Sequence, residues 1–296
     1  MTIDPELNKQ YAPSVWSHRY AADVVVQKHI EVTGKASEET KTKVPCQLDV
    51  PYGSSEGQRA DIFGGDSLPK GAPILVYIHG GYWQALNRQI SSYCVQPLYN
   101  AGVRVVVLGY DLAPAVKLGD IVEEINSSGK FILELAEKYS SKEIILVGHC
   151  AGATLILTLL TSKWFRSLPV EKQKLFTSVV LISGLYDLAP LVYTKHNAAL
   201  QLTQEEISSH SPLHHLDLLP TVTMESLHFL AVLAEHDSPE FCKQTETLLK
   251  ALKEKGSKKN ELLVVNGVDH FDEVEKLEDE NYSLTRRITK LFKSNI

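Results

Sequence analysis

The stretch IILVGHCAGA, Ile144 to Ala153, begins as an apolar run of strand length and becomes a helical segment at a single residue, Cys150. A strand that meets a helix without a loop requires a sharp turn. Glycine stands two residues before that position and two after, at Gly148 and Gly152, where β-carbons would crowd such a turn. The pattern is that of a nucleophile elbow, G-x-S-x-G, with cysteine at the apex where most such elbows carry serine. A thiol at a helix N-terminus beside an imidazole can ionise to the thiolate, so the substitution is chemically capable of catalysis. Without that chemistry Cys150 reads as a small buried residue in a tight turn.

Working outward from the elbow, β-branched runs of strand length alternate with stretches of helical periodicity. LVYIH, ending at His79, and RVVVLGY, ending at Tyr110, precede it; SVVLISG (Ser178 to Gly184), FLAVLAEHD (Phe229 to Asp237) and ELLVVNG (Glu261 to Gly267) follow. Helices are expected over Ile121 to Tyr139, Ala151 to Phe165 and Leu277 to Phe292. Two early runs, Gln47 to Val50 and Ala60 to Phe63, flank a Gly/Ser turn and read as an antiparallel hairpin. The order predicts a mostly parallel eight-stranded sheet flanked by helices, the α/β-hydrolase fold, in a single domain over residues 1–296. Residues 187–227 are too long for an ordinary connection of about 2 to 6 residues, so a lid-like insertion is expected there.

Composition excludes other classes. Thirty basic against 36 acidic residues give a net charge of -6, which argues against a nucleic-acid partner. The densest basic stretch, Lys250 to Lys259, is interrupted by Glu254 and reads as a solvated helix end. No apolar run reaches the roughly 18 residues of a membrane span. The N-terminal MTIDPELNKQ has no apolar signal region, so a cytoplasmic address is expected. The four cysteines, Cys46, Cys94, Cys150 and Cys242, form no C-x-x-C pair, and three of them read as core residues. Gly129-Lys130 is not a phosphate-binding loop, no dinucleotide fingerprint is present, and the adjacent His214 and His215 point to different faces. No cofactor or metal is implied.

The elbow predicts its own partners. In this fold an acid and then a histidine follow the nucleophile, each at the carboxyl end of a later strand. Asp237 ends FLAVLAEHD, and His270 stands three residues past ELLVVNG. Their neighbours His236 and Asp269 read as loop residues facing away. HGGYW, His79 to Trp83, follows directly on a strand, and Gly80 and Gly81 let the backbone approach a reacting carbonyl closely. The amides of Gly81, Tyr82 and Ala151 are the expected oxyanion donors.

With these residues in place the sequence resembles the animal arylformamidases, or kynurenine formamidases, of the α/β-hydrolase superfamily. HGGYWQ (His79 to Gln84) is similar to that family's H-G-G-x-W signature. QYAPSVW (Gln10 to Trp16), VPYG (Val50 to Gly53), GYDLAP (Gly109 to Pro114) and SGLYDLAPL (Ser183 to Leu191) are similar to further family segments. The departure is Cys150, where the family pattern has serine. The resemblance implies hydrolysis of N-formyl-L-kynurenine to L-kynurenine and formate, by Cys150 with His270 as general base and Asp237 as its orienting acid, and a homodimer. It leaves Tyr82 and Trp83 as candidates to pack on the substrate's ring or under the insertion. A broad carboxylesterase and a catalytically silent binding protein remain the alternatives from the residues themselves.

Overall fold

The computed structural model describes residues 2–293. Eight strands form one sheet in the spatial order β1-β2-β4-β3-β5-β6-β7-β8. They are β1 (Cys46–Pro51), β2 (Arg59–Phe63), β3 (Ile74–Ile78), β4 (Arg104–Leu108), β5 (Ile144–His149), β6 (Phe176–Ile182), β7 (His228–Ala234) and β8 (Lys259–Val265). β2 runs antiparallel to both β1 and β4, and every other pairing is parallel. This is the α/β-hydrolase fold. Strands β3, β4 and β5 are buried along their whole length, as continuous Val/Ile/Leu runs covered on both faces must be. At the sheet's edge β8 alternates and leaves Leu262 and Val264 exposed.

After β3 the chain crosses to β4 on one side and returns to β5 on the other. The carboxyl ends of β3 and β5 therefore diverge into a crevice, the place where such sheets bind ligands. The loop His79 to Trp83 leaves β3 there and the elbow leaves β5. On one face of the sheet pack the Leu118–Tyr139 and Ala151–Thr161 helices, the latter buried at every residue. The opposite face carries the Val25–Lys43 and Ser283–Lys293 helices, through Ala36, Leu284 and Ile288.

Two expectations from the sequence change, and one helix stands where none was expected. The helix expected over Ala151 to Phe165 stops at Thr161, because Ser162 turns extended and its hydroxyl accepts from the Phe165 amide to cap a separate helix, Lys163–Ser167. The terminal helix starts at Ser283 rather than Leu277, after two short turns. The Val25–Lys43 helix has no hydropathic signature, since its buried stripe is His29, Thr33, Ala36, Ser37 and Thr40, mostly polar. These groups are satisfied individually: the Thr33 hydroxyl donates to His29 O at 2.6 Å, and Ser37 Oγ accepts from Ser92 N at 3.0 Å. Between β6 and β7 five short helical pieces, from Ala189–Tyr193 to Thr221–Ser226, fold over the carboxyl ends of the strands. Among the described residues no helix is long and apolar enough to cross a membrane.

Candidate active site

Cys150 sits at φ 52°, ψ -115°, a left-handed conformation rare outside glycine, between the last residue of β5 and the first of the Ala151–Thr161 helix. The close packing beneath it accounts for both glycines of the elbow. A β-carbon at Gly148 would lie 2.5 Å from the Gly152 backbone, and one at Gly152 would lie 2.1 Å from the Ile78 carbonyl oxygen. The Cys150 amide donates to Ile182 O at 2.8 Å, pinning the turn to β6. Cys150 is the N-cap of an eleven-residue helix, at the end whose partial positive charge favours an anion.

His270 and Asp237 meet beside it. The imidazole donates from Nδ1 to Asp237 Oδ1 at 2.9 Å, and both side chains are buried. His270 shares the pocket floor with Cys150, whose side chain acts on it electrostatically. Burial alone would lower the His270 pKa, but its interactions with Cys150 and with the hydrogen-bonded Asp237 carboxylate outweigh it and hold the imidazole well above its usual range. The second Asp237 oxygen accepts from the Ala234 amide at 3.0 Å and from the Ser183 hydroxyl. Phe241 packs edge-on against the His270 ring at 5.0 Å.

The loop after β3 forms the facing wall. His79 is buried, its ring stacked at 4.3 Å on Tyr110, whose hydroxyl donates to His79 O at 2.9 Å. Its Nδ1 donates to Gly80 O at 2.8 Å, and burial pushes its pKa down to about 4, so it is a neutral brace. A β-carbon at Gly80 would lie 3.0 Å from Cys150 Cβ, so loop and elbow are in contact. Gly81 adopts φ 105°, with Gln84 and Ala85 amides folding back onto its carbonyl at 3.0 Å each. Gly81 and Tyr82 line the pocket, and among the described residues their amides donate none of the backbone hydrogen bonds of that turn. Tyr82 stacks on His196 at 3.7 Å and its hydroxyl donates to Tyr11 O at 2.6 Å. Trp83 is wholly buried and does not line the pocket: at φ 58° its indole turns down into the core, which removes it as a ring-packing residue.

The pocket over Cys150 encloses about 260 Å³. His149, Cys150 and His270 form its floor; Gly81, Tyr82 and Leu86 belong to one wall; Lys195 and His196, from the segment between β6 and β7, to another; Pro13, Val26, His29 and Phe271 are among its other lining residues. No carboxylate lines it, and its ammonium is Lys195 on the exposed rim. His149 and His196 carry no sequence signal. His149 donates from Nε2 to His270 O at 3.0 Å, and burial keeps it neutral. Burial likewise pushes His196 down to about 4.

The bland neighbours lie elsewhere. His236 packs on His18 at 4.3 Å, and Asp269 is held by Arg19 (Nε at 3.0 Å) and Ser17. His214 lies 3.9 Å from Asp187, and His215 meets Ser208 O at 2.7 Å. All four cysteines are free thiols; Cys46 and Cys242 are half-buried rather than in the core, and burial raises the thiols of Cys94 and Cys242 to about 12 and about 11. Among the described residues no group of three or more His, Cys, Asp and Glu is arranged to hold a metal ion. A thiol, an imidazole and a carboxylate in sequence, with free amides opposite, are equipped for acyl transfer.

Comparison with known proteins agrees in extent and in kind. The family model BD-FAE matches residues 60–224. The kynurenine formamidase of Danio rerio is 36% identical, aligned over 97% of this chain and 95% of its own. That of Salmo salar is 34% identical over the same shares of the two chains, 97% and 95%. An esterase structure from Pyrobaculum calidifontis superposes with a TM-score of 0.69 at 17% identity, over 99% of this chain and 98% of that one.

Proposed function

The chain belongs to the kynurenine formamidase family, and from that premise we propose that it hydrolyses N-formyl-L-kynurenine to L-kynurenine and formate with Cys150 as nucleophile, His270 as general base and acid, and Asp237 as the group that orients His270. The observation that carries the reading is the buried His270–Asp237 hydrogen bond of 2.9 Å, set beside a cysteine in a strained turn at the floor of the pocket.

The Cys150 sulfur attacks the formyl carbon, its proton passing to His270 Nε2. The carbonyl π electrons move to oxygen, and the oxyanion is met by the amides of Gly81, Tyr82 and Ala151. As the tetrahedral adduct collapses, the C–N bond breaks and Nε2–H protonates the departing aryl amine. Aryl amines leave more readily than alkyl amines because the ring delocalises the nitrogen electrons. A formyl thioester remains on Cys150. Water, deprotonated by His270, adds to it, the C–S bond breaks, formate departs and the sulfur regains a proton. Throughout, Asp237 keeps Nδ1 protonated and Nε2 free to exchange its proton.

The pocket suits the rest of the substrate. About 260 Å³ lies just below the roughly 300 to 1,000 Å³ of drug-sized sites, in keeping with one small aromatic amino-acid derivative. Val26, Leu86 and Phe271 provide apolar surface for the ring, and Lys195 at the rim faces the place for the α-carboxylate.

The test follows kynurenine formation spectrophotometrically for the protein and for Cys150→Ser and Cys150→Ala. The alanine variant is expected to be inactive and the serine variant active. An alanine variant that keeps the rate overturns the assignment of the nucleophile, and a large preference for a short-chain aryl ester over the formamide overturns that of the substrate.

A further inference from the structure

Behind Asp237, away from the pocket, lies a second buried carboxyl that the reaction above does not use. Ser183, the first residue after β6, is held at φ 45° with no exposed surface. A non-glycine residue rarely adopts this conformation unless the surroundings impose it. Its hydroxyl lies 2.5 Å from Asp237 Oδ2 and 2.7 Å from Glu273 Oε2. A hydroxyl has one hydrogen, so it cannot donate to two carboxylates at once. Two short contacts to acidic oxygens are satisfied together only when one of the two acids carries a proton and donates it to the serine oxygen.

The surroundings decide which acid that is. Asp237 Oδ1 accepts from His270 at 2.9 Å and Oδ2 accepts from the Ala234 amide at 3.0 Å, so both its oxygens are bound as acceptors. Glu273 has no exposed surface, and its second oxygen, Oε1, is buried without any hydrogen-bond partner. Its neighbours in the chain are each given a cation: Asp269 and Glu275 pair with Arg19, and Asp272 pairs with Lys276 at 2.7 Å. Among the described residues Glu273 forms no ion pair. A bare oxygen of a neutral acid is tolerable in that setting, whereas a bare oxygen of a buried carboxylate is far more costly.

The charges bearing on Glu273 are Asp237 and Asp272, which oppose its ionisation, and His270, which favours it. Tyr77, Tyr186, Tyr282 and Cys242 also sense Glu273, and burial raises the pKa of each, which keeps them neutral. Burial first, and Asp237 second, hold Glu273 well above the usual carboxyl range.

We propose that Glu273 is protonated in the working enzyme and is a positioning residue: its acid O–H donates to Ser183, the Ser183 hydroxyl donates to Asp237 Oδ2, and Asp237 is thereby held with Oδ1 on the His270 ring. This rests on the roles given to Asp237 and His270 under the proposed function. No proton leaves this chain during turnover; it orients the carboxylate and keeps a second negative charge out of the site.

The full-length protein is compared with Glu273→Gln, Glu273→Ala and His270→Ala. Glutamine can donate an amide hydrogen to Ser183 as the acid does, and alanine cannot. The alanine variant is expected to lose roughly ten- to a hundredfold in kcat with KM little changed, the range for losing one hydrogen bond to a charged group, and glutamine to recover most of that loss. Iodoacetamide labelling of Cys150 against pH reads the same chain without turnover. The alanine variant should shift that profile, and the glutamine variant should follow the wild type. Difference infrared spectra at neutral pH should show a protonated carboxyl that Glu273→Gln removes. If the alanine variant does not fold, the glutamine labelling profile and the infrared band still decide. The inference is overturned when the infrared band is absent, when alanine and wild type share one labelling profile, or when glutamine is as impaired as alanine. Should His270→Ala itself leave the labelling profile unchanged, the reading of the site fails instead.

Discussion

Replacing Asp237 by asparagine tests the site through one atom. The Ala234 amide and the Ser183 hydroxyl both donate to Asp237 Oδ2. An asparagine in this place must therefore put its carbonyl oxygen at the Oδ2 position and its NH₂ group where Oδ1 faces His270 Nδ1, at 2.9 Å. Two donors cannot face each other, so Nδ1 becomes the acceptor and Nε2 carries the hydrogen. In that tautomer His270 can take no proton from Cys150. Restoring the productive tautomer forfeits a charge-assisted hydrogen bond, about 1.5 to 3 kcal/mol, and leaves a buried donor unsatisfied, about 1 to 3 kcal/mol more. Together, about 3 to 6 kcal/mol corresponds to a fall in kcat of roughly 10² to 10⁴. Initial rates of kynurenine formation at saturating substrate measure it, with thermal unfolding as the control that the variant is folded. Cys150 labelling should slow in parallel, because the imidazolium that stabilises the thiolate is lost. An asparagine variant within about tenfold of wild type would refute the tautomer argument, since among the described residues the hydrogen-bond partner of His270 Nδ1 is Asp237.

Two further outcomes follow. Lys195→Met should raise KM for N-formyl-L-kynurenine by roughly three- to tenfold at low salt, as expected for one exposed ion pair, and should leave hydrolysis of an uncharged aryl formamide unchanged; equal effects on both substrates would remove Lys195 from carboxylate binding. Glu124 accepts from the Asp111 amide at 2.8 Å and from Ser55, yet burial raises its pKa from 4.5 to about 7. The unfolded chain ionises this group first, so stability is fully present below pH 4.5 and declines as pH rises to about 7. Glu124→Gln should flatten that part of a denaturant-midpoint profile against pH, and a profile that keeps its slope would show that Glu124 is not the group responsible.

Much of the site was legible before any fold was built, because local chemistry marked it. Gly148 and Gly152 are required within five residues of chain, and Asp237 and His270 end their strands in the order the topology demands. HGGYW is likewise a local signal, since the turn after β3 needs φ 105° at Gly81. What failed to show was set by partners distant in sequence. The Val25–Lys43 helix escaped notice because its inward stripe is hydroxyl and imidazole, satisfied by bonds to Ser92 and to its own turns rather than by hydrophobic packing. Ser162 broke a periodic apolar stretch through its capping bond. Trp83, read as a candidate for the substrate ring, is fully buried in the core while its neighbours Tyr82 and Gln84 line the pocket.

The sequence by itself determined a mostly parallel eight-stranded sheet flanked by helices, the elbow with its cysteine, and the family. The physical reason is that strand-length apolar runs, glycines in strained turns and residues at strand ends act through neighbours a few positions away. The tertiary structure alone decided the pocket's charge, the neutral state of His149 and His196, and the link from Glu273 through Ser183 to Asp237. Those depend on burial and on contacts between residues far apart in the chain, 90 positions for Ser183 and Glu273 and 121 for His149 and His270, and no local pattern records what stands across such a gap.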